Sequence, residues 1–416
     1  MHFLTSKGSQ FTSDNQNVLL RGAGLGNWTN LEHFLLGLPG TDSQIRRAIH
    51  EAYGERRSKV FWKKYYAVYV AEADIAFAKE QGFNHLRLPV NYRLFRDNAF
   101  EKSTAIRELD RVLALCKKYN IWGIIDLHAV PGGQNPDWHS DNQSGRDNFW
   151  QDKKAQAEMV QLWKNIAQYY RDEPAVGGYD LINEPCYFGE ASEQAMLRFF
   201  TRCTEEIRKV DSHHLLIYTG NTYGRDFSMF ERNLDENSAY TFHLYPFLQI
   251  ASELESENLQ QQVTECLYRD VTFEKLKQLE KPLWCGETGH PLHLNDKPQA
   301  LKLFIALLEE QDVGWSLWPL KDCGAMALTH TSIDGKWNAL CEKTSNNWKF
   351  WKLFSEDSKI ASEAYADNYG YYQWLAEETS KGWNVFRENL KLVEFEELME
   401  CLDDFKLESC VKRRLV

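Results

Sequence analysis

The sequence predicts an α/β fold in which one chain closes a (β/α)8 barrel, with an N-terminal hairpin in front and a helical extension behind. Three observations carry this. Eight short apolar segments recur along the first 355 residues, most of them continuous apolar runs, as strands buried on both faces should be. Longer amphipathic segments alternate with them, which implies a parallel sheet. Eight is also the number of strand–helix units that closes a barrel, whereas a doubly wound open sheet is the competing arrangement.

The candidate strands are Val18–Gly24, Asn84–Leu88, Ile121–Leu127, Val176–Asn183, His214–Gly220, Ala239–Leu244, Pro282–Glu287 and Val313–Trp318. Between them, Lys153–Tyr170 places Met159, Trp163, Ile166 and Tyr170 on one helical face. Thr104–Tyr119, Glu193–Val210 and Gln299–Glu310 follow the same spacing. Ahead of the first strand, HFLT and QFTS around a turn at SKGS form a hairpin suited to plugging the barrel floor. The strand pattern stops after Asp357, so the barrel is assigned to residues 1–355 and a helical extension packed on it to 356–416. Within the extension, Leu390–Phe405 carries Leu392, Phe395, Leu398, Met399 and Leu402 at helical spacing.

Composition narrows the function. The 416 residues carry 48 Lys+Arg against 60 Asp+Glu, a net charge of −12, which argues against nucleic acid as a partner. No apolar run is long enough to span a membrane, and the first residues lack the layout of a signal peptide. A cytoplasmic protein is expected, unless a leader has been trimmed. The nine cysteines are odd in number, scattered and without a C-x-x-C pair, as for free thiols in a reducing compartment. GAGLGN (22–27) lacks the third glycine and the following acidic residue of a dinucleotide site. The sequons at Asn27 and Asn142 read as chance matches, and His213-His214 precedes a strand, at the barrel bottom. No metal or cofactor motif is present, and none is expected.

Reactive groups in such barrels lie at the C-terminal ends of the strands. There the sequence places Arg87, Asp126 and His128, Asn183-Glu184-Pro185, His243 and Tyr245, Glu287, and Trp318. Two opposed carboxylates suit glycoside hydrolysis, which needs one as a proton donor and one ionised. Glu287 is the candidate for the ionised partner if Arg87 and the Tyr245 hydroxyl approach it. Glu184, with no cation in its own segment, is the better proton donor, and Asn183 is placed to bond a sugar 2-hydroxyl.

These residues resemble glycoside hydrolase family 5, the cellulase-like retaining barrel enzymes. The matching strings are LRGAGLGNW (20–28), NHLRLPV (84–90), DLH (126–128), LINEP (181–185), FHLYP (242–246), CGETG (285–289) and SLWP (316–319). They occur in the family's order over roughly the first 340 residues. The resemblance implies Glu184 as acid/base and Glu287 as nucleophile. It further implies that Arg87, His128, Asn183, His243, Tyr245 and Trp318 form the pocket for the sugar being cleaved. One departure is Thr288, which stands where the family commonly has an aromatic beside the nucleophile.

Finer strings point to a subgroup. GNWTNLEHF (26–34) and DLHAVPGGQN (126–135) are similar to motifs of fungal exo-β-1,3-glucanases. That likeness implies that Glu32 binds the terminal glucose and closes the pocket, if it points into the barrel mouth rather than standing exposed on its loop. Trp28 is expected beside a sugar ring, with Trp318 and Tyr245. The long inserts Leu35–Tyr66 and Asn135–Trp150 are placed to wall the pocket, and Trp138, His139, Asp141, Phe149 and Trp150 offer stacking or hydroxyl-binding groups there. The expected substrate is a β-glucoside or β-glucan attacked from its end. An endo-β-1,4-glucanase with an open groove and a non-catalytic carbohydrate-binding barrel are the rival readings.

Overall fold

The computed structural model describes residues 1–247, 258–292, 298–346 and 369–414. Eight parallel strands close a barrel: β1 (Arg21–Gly24), β2 (His85–Asn91), β3 (Trp122–Ala129), β4 (Val176–Asp180), β5 (Leu216–Thr219), β6 (Ser238–His243), β7 (Leu283–Thr288) and β8 (Gly314–Leu317). They pair in chain order, and β8 returns to β1. Every expected strand is present within a few residues of its predicted bounds.

Alternation along the strands sorts the side chains into two apolar layers. Ile124, Leu215, Ile217, Ala239 and Trp284 fill the lower barrel interior, together with Leu4, Phe11 and Leu20. The intervening residues, among them Leu86, Leu88, Ile125, Leu127, Tyr240, Phe242 and Cys285, face the surrounding helices. Phe11 belongs to, and Leu4 directly precedes, a three-stranded antiparallel sheet of Thr5–Lys7, Gln10–Ser13 and Gln16–Val18, which seals the barrel floor. The expected hairpin is thus the first part of a sheet with one more strand. His213 and His214 also lie at this floor, stacked on and edge-on to Phe3.

The helical segment Asp42–Tyr69, two helices joined at a kink where Gly54 is left-handed (φ 74), forms most of the first insert and is opened by a capping box between Thr41 and Gln44. The extension folds back onto it. Helix Gly370–Leu390 lies against it, with Trp383 Nε1 donating to the Gln44 carbonyl at 2.7 Å. Lys321, after β8, forms a buried ion pair with Asp74 at 2.6 Å and donates to the Phe405 carbonyl, tying barrel and extension together. Val411–Lys412 adds a strand to Thr329–His330. The expected division at 355/356 falls outside the described residues.

The single helix expected over Leu390–Phe405 is corrected. One helix ends at Leu390, and another runs Phe395–Cys401 into a 3-10 turn at Leu402–Phe405. Leu392 sits at the turn between them and is 79% exposed, because the chain reverses there to bring Phe395 onto Tyr53. All nine cysteines are free thiols, eight of them buried. Asn27 and Asn142, of the two sequons, are buried. Among the described residues no helix is long and apolar enough to cross a membrane.

Candidate active site

The polar groups of the upper barrel come from the same alternation that sorts the core. Arg87 on β2, Asp126 and His128 on β3, Asp180 on β4 and His243 on β6 occupy inward positions above the apolar floor and are all buried. Glu287 reaches this interior by a different device. Regular alternation would put it on the outer face with Cys285, but β7 has a register irregularity between Cys285 and Glu287. A bulge of this kind re-aims one side chain. Gly286 permits it, since a Cβ there would come within 2.4 Å of Thr241 Oγ1.

Arg87 is the centre of the network. Its Nη1 donates to Glu287 Oε1 at 2.6 Å, Nη2 to Asn183 Oδ1 at 2.8 Å, and Nε to Asp180 Oδ2 at 2.9 Å. Asp126 Oδ2 lies 3.2 Å from Nη2. Burial disfavours the guanidinium charge, but the Asp126, Asp180 and Glu287 carboxylates outweigh it and raise its pKa. Asp180 is pushed up to about 7 by burial, against the pull of Arg87. Tyr245 Oη donates to Glu287 Oε2 at 2.8 Å, so both oxygens of Glu287 accept a strong hydrogen bond.

Glu184 is partnered differently. His243 Nδ1 lies 2.8 Å from its Oε1, and His139 Nε2 lies 3.1 Å from its Oε2. Burial pushes the Glu184 carboxyl up, but these two imidazoles outweigh it and hold it well below the usual carboxylate range. Burial opposes the charge on His139, yet Glu184 raises the imidazole to about 9. The expectation that Glu184 is a ready proton donor because its own segment lacks a cation is therefore corrected. Its charge partners arrive from the β3 loop and from β6. The backbone at Glu184 is left-handed (φ 43), a conformation costing about 1–3 kcal/mol outside glycine, and Asn135 Nδ2 holds its carbonyl at 2.8 Å.

One oxygen from each of Glu184 and Glu287 and one nitrogen of His243 lie within 4.8 Å of one another. Three such groups can gather on a cation, but here hydrogen-bond donors already occupy both carboxylates. The Arg87 guanidinium also supplies positive charge 2.6 Å from Glu287.

On the far side, His128 Nδ1 is 2.6 Å from Asp126 Oδ2, and its Nε2 is 3.2 Å from Glu32 Oε1. Burial lowers the imidazole, but Asp126 and Glu32 raise it to about 10. Glu32 is only 4% exposed and points inward, its backbone N–H held by Asn27 Oδ1 at 2.6 Å. Burial raises its carboxyl, against the hydrogen bond from His128. Trp318 stacks on His128 with centroids 5.3 Å apart. Gly24 leaves room for it: a Cβ there would come within 2.4 Å of the indole. The Thr288 carbonyl accepts from Trp318 N–H at 2.7 Å, so Thr288 helps to seat that ring.

The structure thus brings Arg87, His128, Asn183, Glu184, His243, Tyr245, Glu287, Trp318 and Glu32 into one cluster. Trp28 is corrected: it is 0% exposed, packed in the outer apolar layer, and presents no face to the barrel mouth. Of the Asn135–Trp150 insert, His139 meets the Glu184 carboxylate and Asn135 its backbone carbonyl. Asp141 instead bonds Ser43 and Arg93, Phe149 and Trp150 pack on Phe199, and Trp138 packs on His33. Asp180 escaped the sequence reading, although it lies inward at the end of a strand.

Comparisons with known proteins agree with this geometry. Residues 46–324 match the sequence model of Cellulase (glycosyl hydrolase family 5). A beta-xylosidase of Phanerodontia chrysosporium is 33% identical over 365 residues, covering 80% of this chain and 74% of that protein. Endoglucanase C of Acetivibrio thermocellus is 28% identical over 313 residues, covering 63% and 87% respectively. A solved beta-glucanase from Saccharophagus degradans superposes with a TM-score of 0.54 at 16% identity, covering 78% of this chain and 86% of that one, which speaks for the fold. The chain belongs to glycosyl hydrolase family 5 and is a retaining glycoside hydrolase of β-glycosidic bonds.

Proposed function

We propose that the protein removes single glucose units from the non-reducing end of β-glucosides or β-glucans by a double displacement on two glutamates. The observation that carries the mechanism is the opposition of Glu184 and Glu287, with oxygens within 4.8 Å and unlike partners. Carboxyl groups of retaining enzymes stand about 5–5.5 Å apart, and those of inverting enzymes about 6.5–9.5 Å.

In the first step a Glu287 oxygen attacks the anomeric carbon while the glycosidic C–O bond breaks, and the leaving oxygen takes a proton from Glu184. The Glu184–His139 pair holds that proton. It rests on His139 in the free enzyme and crosses the 3.1 Å contact as negative charge develops on the leaving oxygen. In the second step Glu184 takes a proton from water, the water oxygen bonds to the anomeric carbon, and the ester bond to Glu287 breaks. Arg87 and Tyr245 receive the returning carboxylate charge. Asn183 is the partner for the sugar 2-hydroxyl.

Exo action is supported by the inward placement of Glu32 beside His128, which closes the pocket away from the leaving group. The likeness to exo-β-1,3-glucanase strings and the beta-xylosidase relative point the same way. The test is a hydrolysis panel of aryl β-glucoside, β-xyloside and β-mannoside, laminarin and cello-oligosaccharides, followed by anomeric NMR. Early release of β-glucose alone is expected. Rapid viscosity loss of a soluble cellulose without early glucose would replace the exo reading by an endo one, as in the endoglucanase relative.

A further inference from the structure

The acid/base group marks the side on which the leaving group departs. Beyond Glu184 on that side runs an unbroken line of rings. His139, 3.1 Å from Glu184 Oε2, faces Tyr223 with centroids 6.2 Å apart. Tyr223 faces Tyr372 at 6.4 Å with the planes tilted by 33°. Both tyrosines are half-buried.

Tyr223 is held there by its backbone. Thr222 and Tyr223 are both left-handed, at φ 55 and 58, and Tyr223 N–H donates to the Pro185 carbonyl at 3.1 Å, one residue past Glu184. Two consecutive non-glycine residues in this region are strained, and such strain clusters at ligand-binding segments. Burial, with Tyr372 beside it, pushes the Tyr223 phenol well above its ordinary value, so the ring is neutral. Tyr372 comes from the opposite end of the chain, in the first turn of helix Gly370–Leu390. Phe188 of the β4 loop packs beside it at 6.1 Å, and Tyr369 Oη donates to Asp147 Oδ1 of the β3 loop at 2.8 Å.

We infer that Tyr223 and Tyr372 form the binding wall for the leaving group, so that the C-terminal extension is part of the active site. This rests on Glu184 being the acid/base. Two flat, neutral faces fit one ring of matching chemistry: an aryl group, or the C–H face of a pyranose. The wall would set which aglycones are cleaved, while Arg87, His128 and Glu32 set the sugar.

The test compares full-length Tyr372→Ala, Tyr223→Ala and Tyr372→Phe with the parent protein on nitrophenyl β-glucoside and on β-glucosyl fluoride. Both report formation of the glycosyl-enzyme through kcat/KM, but fluoride is too small to reach the wall. The ratio of kcat/KM for the nitrophenyl substrate over the fluoride is expected to fall about tenfold in each alanine variant, mostly through KM, and to stay near the parent value in Tyr372→Phe. An unchanged ratio, whether both activities persist or both fall together, would overturn the inference. Loss of parent turnover on both substrates would instead remove the proposed reaction on which it stands.

Discussion

Replacing His139 by Asn tests the proton-sharing pair. In the parent protein the pair loses its last proton as pH rises through about 9, the value to which Glu184 raises the imidazole from an ordinary 6.5. That rise corresponds to about 3 kcal/mol of net preference for the charged imidazole, which remains after the cost of burial and comes from Glu184 first, with Asp137 and Glu32 behind it. Without the imidazole, the proton must be held by Glu184 alone. Its carboxyl then rises, because burial is opposed only by His243, yet it stays below the parent limb. The basic limb of kcat/KM is therefore expected near pH 9 in the parent and at lower pH in His139→Asn. An alkyl β-glucoside is the right substrate, since its poor leaving group needs the proton. Circular dichroism of the variant separates this from misfolding. A basic limb that stays near pH 9 in the variant would refute the shared proton.

Three further outcomes follow from the same contacts. Arg87→Met leaves Glu287, Asp126 and Asp180 buried without their cation and should lower stability by about 3–5 kcal/mol in urea unfolding at neutral pH. A loss below about 1 kcal/mol would contradict the charge network. The His128 imidazole, raised to about 10, should still be protonated at pH 8 by NMR. Its contribution to stability is fully present below the unfolded value of about 6.5 and is lost as pH rises through about 10; titration near 6.5 would show that Asp126 and Glu32 do not hold it. Glu32→Gln should raise KM for aryl β-glucoside about tenfold or more, the worth of one hydrogen bond to a charged group. An unchanged KM would remove Glu32 from the sugar pocket.

The barrel was legible because strands buried on both faces and amphipathic helices leave different periodicities, as in IWGIIDL against Lys153–Tyr170. The strand-end rule likewise placed Arg87, His128, Glu184 and Glu287 on one rim. What escaped were the features set by contacts between distant segments. Trp28 lies in a stretch resembling a sugar-binding motif, but only the packing of the outer layer decides that its ring faces away from the mouth. The depressed carboxyl of Glu184 depends on His139, which lies 45 positions earlier and which the sequence places on the pocket wall without pairing it to that carboxylate. The bulge that turns Glu287 inward is visible in the sequence only as a glycine before it. Leu392 has helical spacing to its neighbours, yet the chain turns there because Phe395 has a partner in Tyr53.

The assignment of Glu287 as nucleophile is tested most directly by covalent trapping. Incubation with an activated 2-deoxy-2-fluoro-β-glucoside slows release of the glycosyl-enzyme more than its formation, and peptide mass spectrometry then locates the sugar. The account predicts one fluoroglucosyl group per chain, on the peptide carrying Glu287, and none in Glu287→Gln. A label on Glu184 or elsewhere, or turnover that persists in Glu287→Gln, would contradict it.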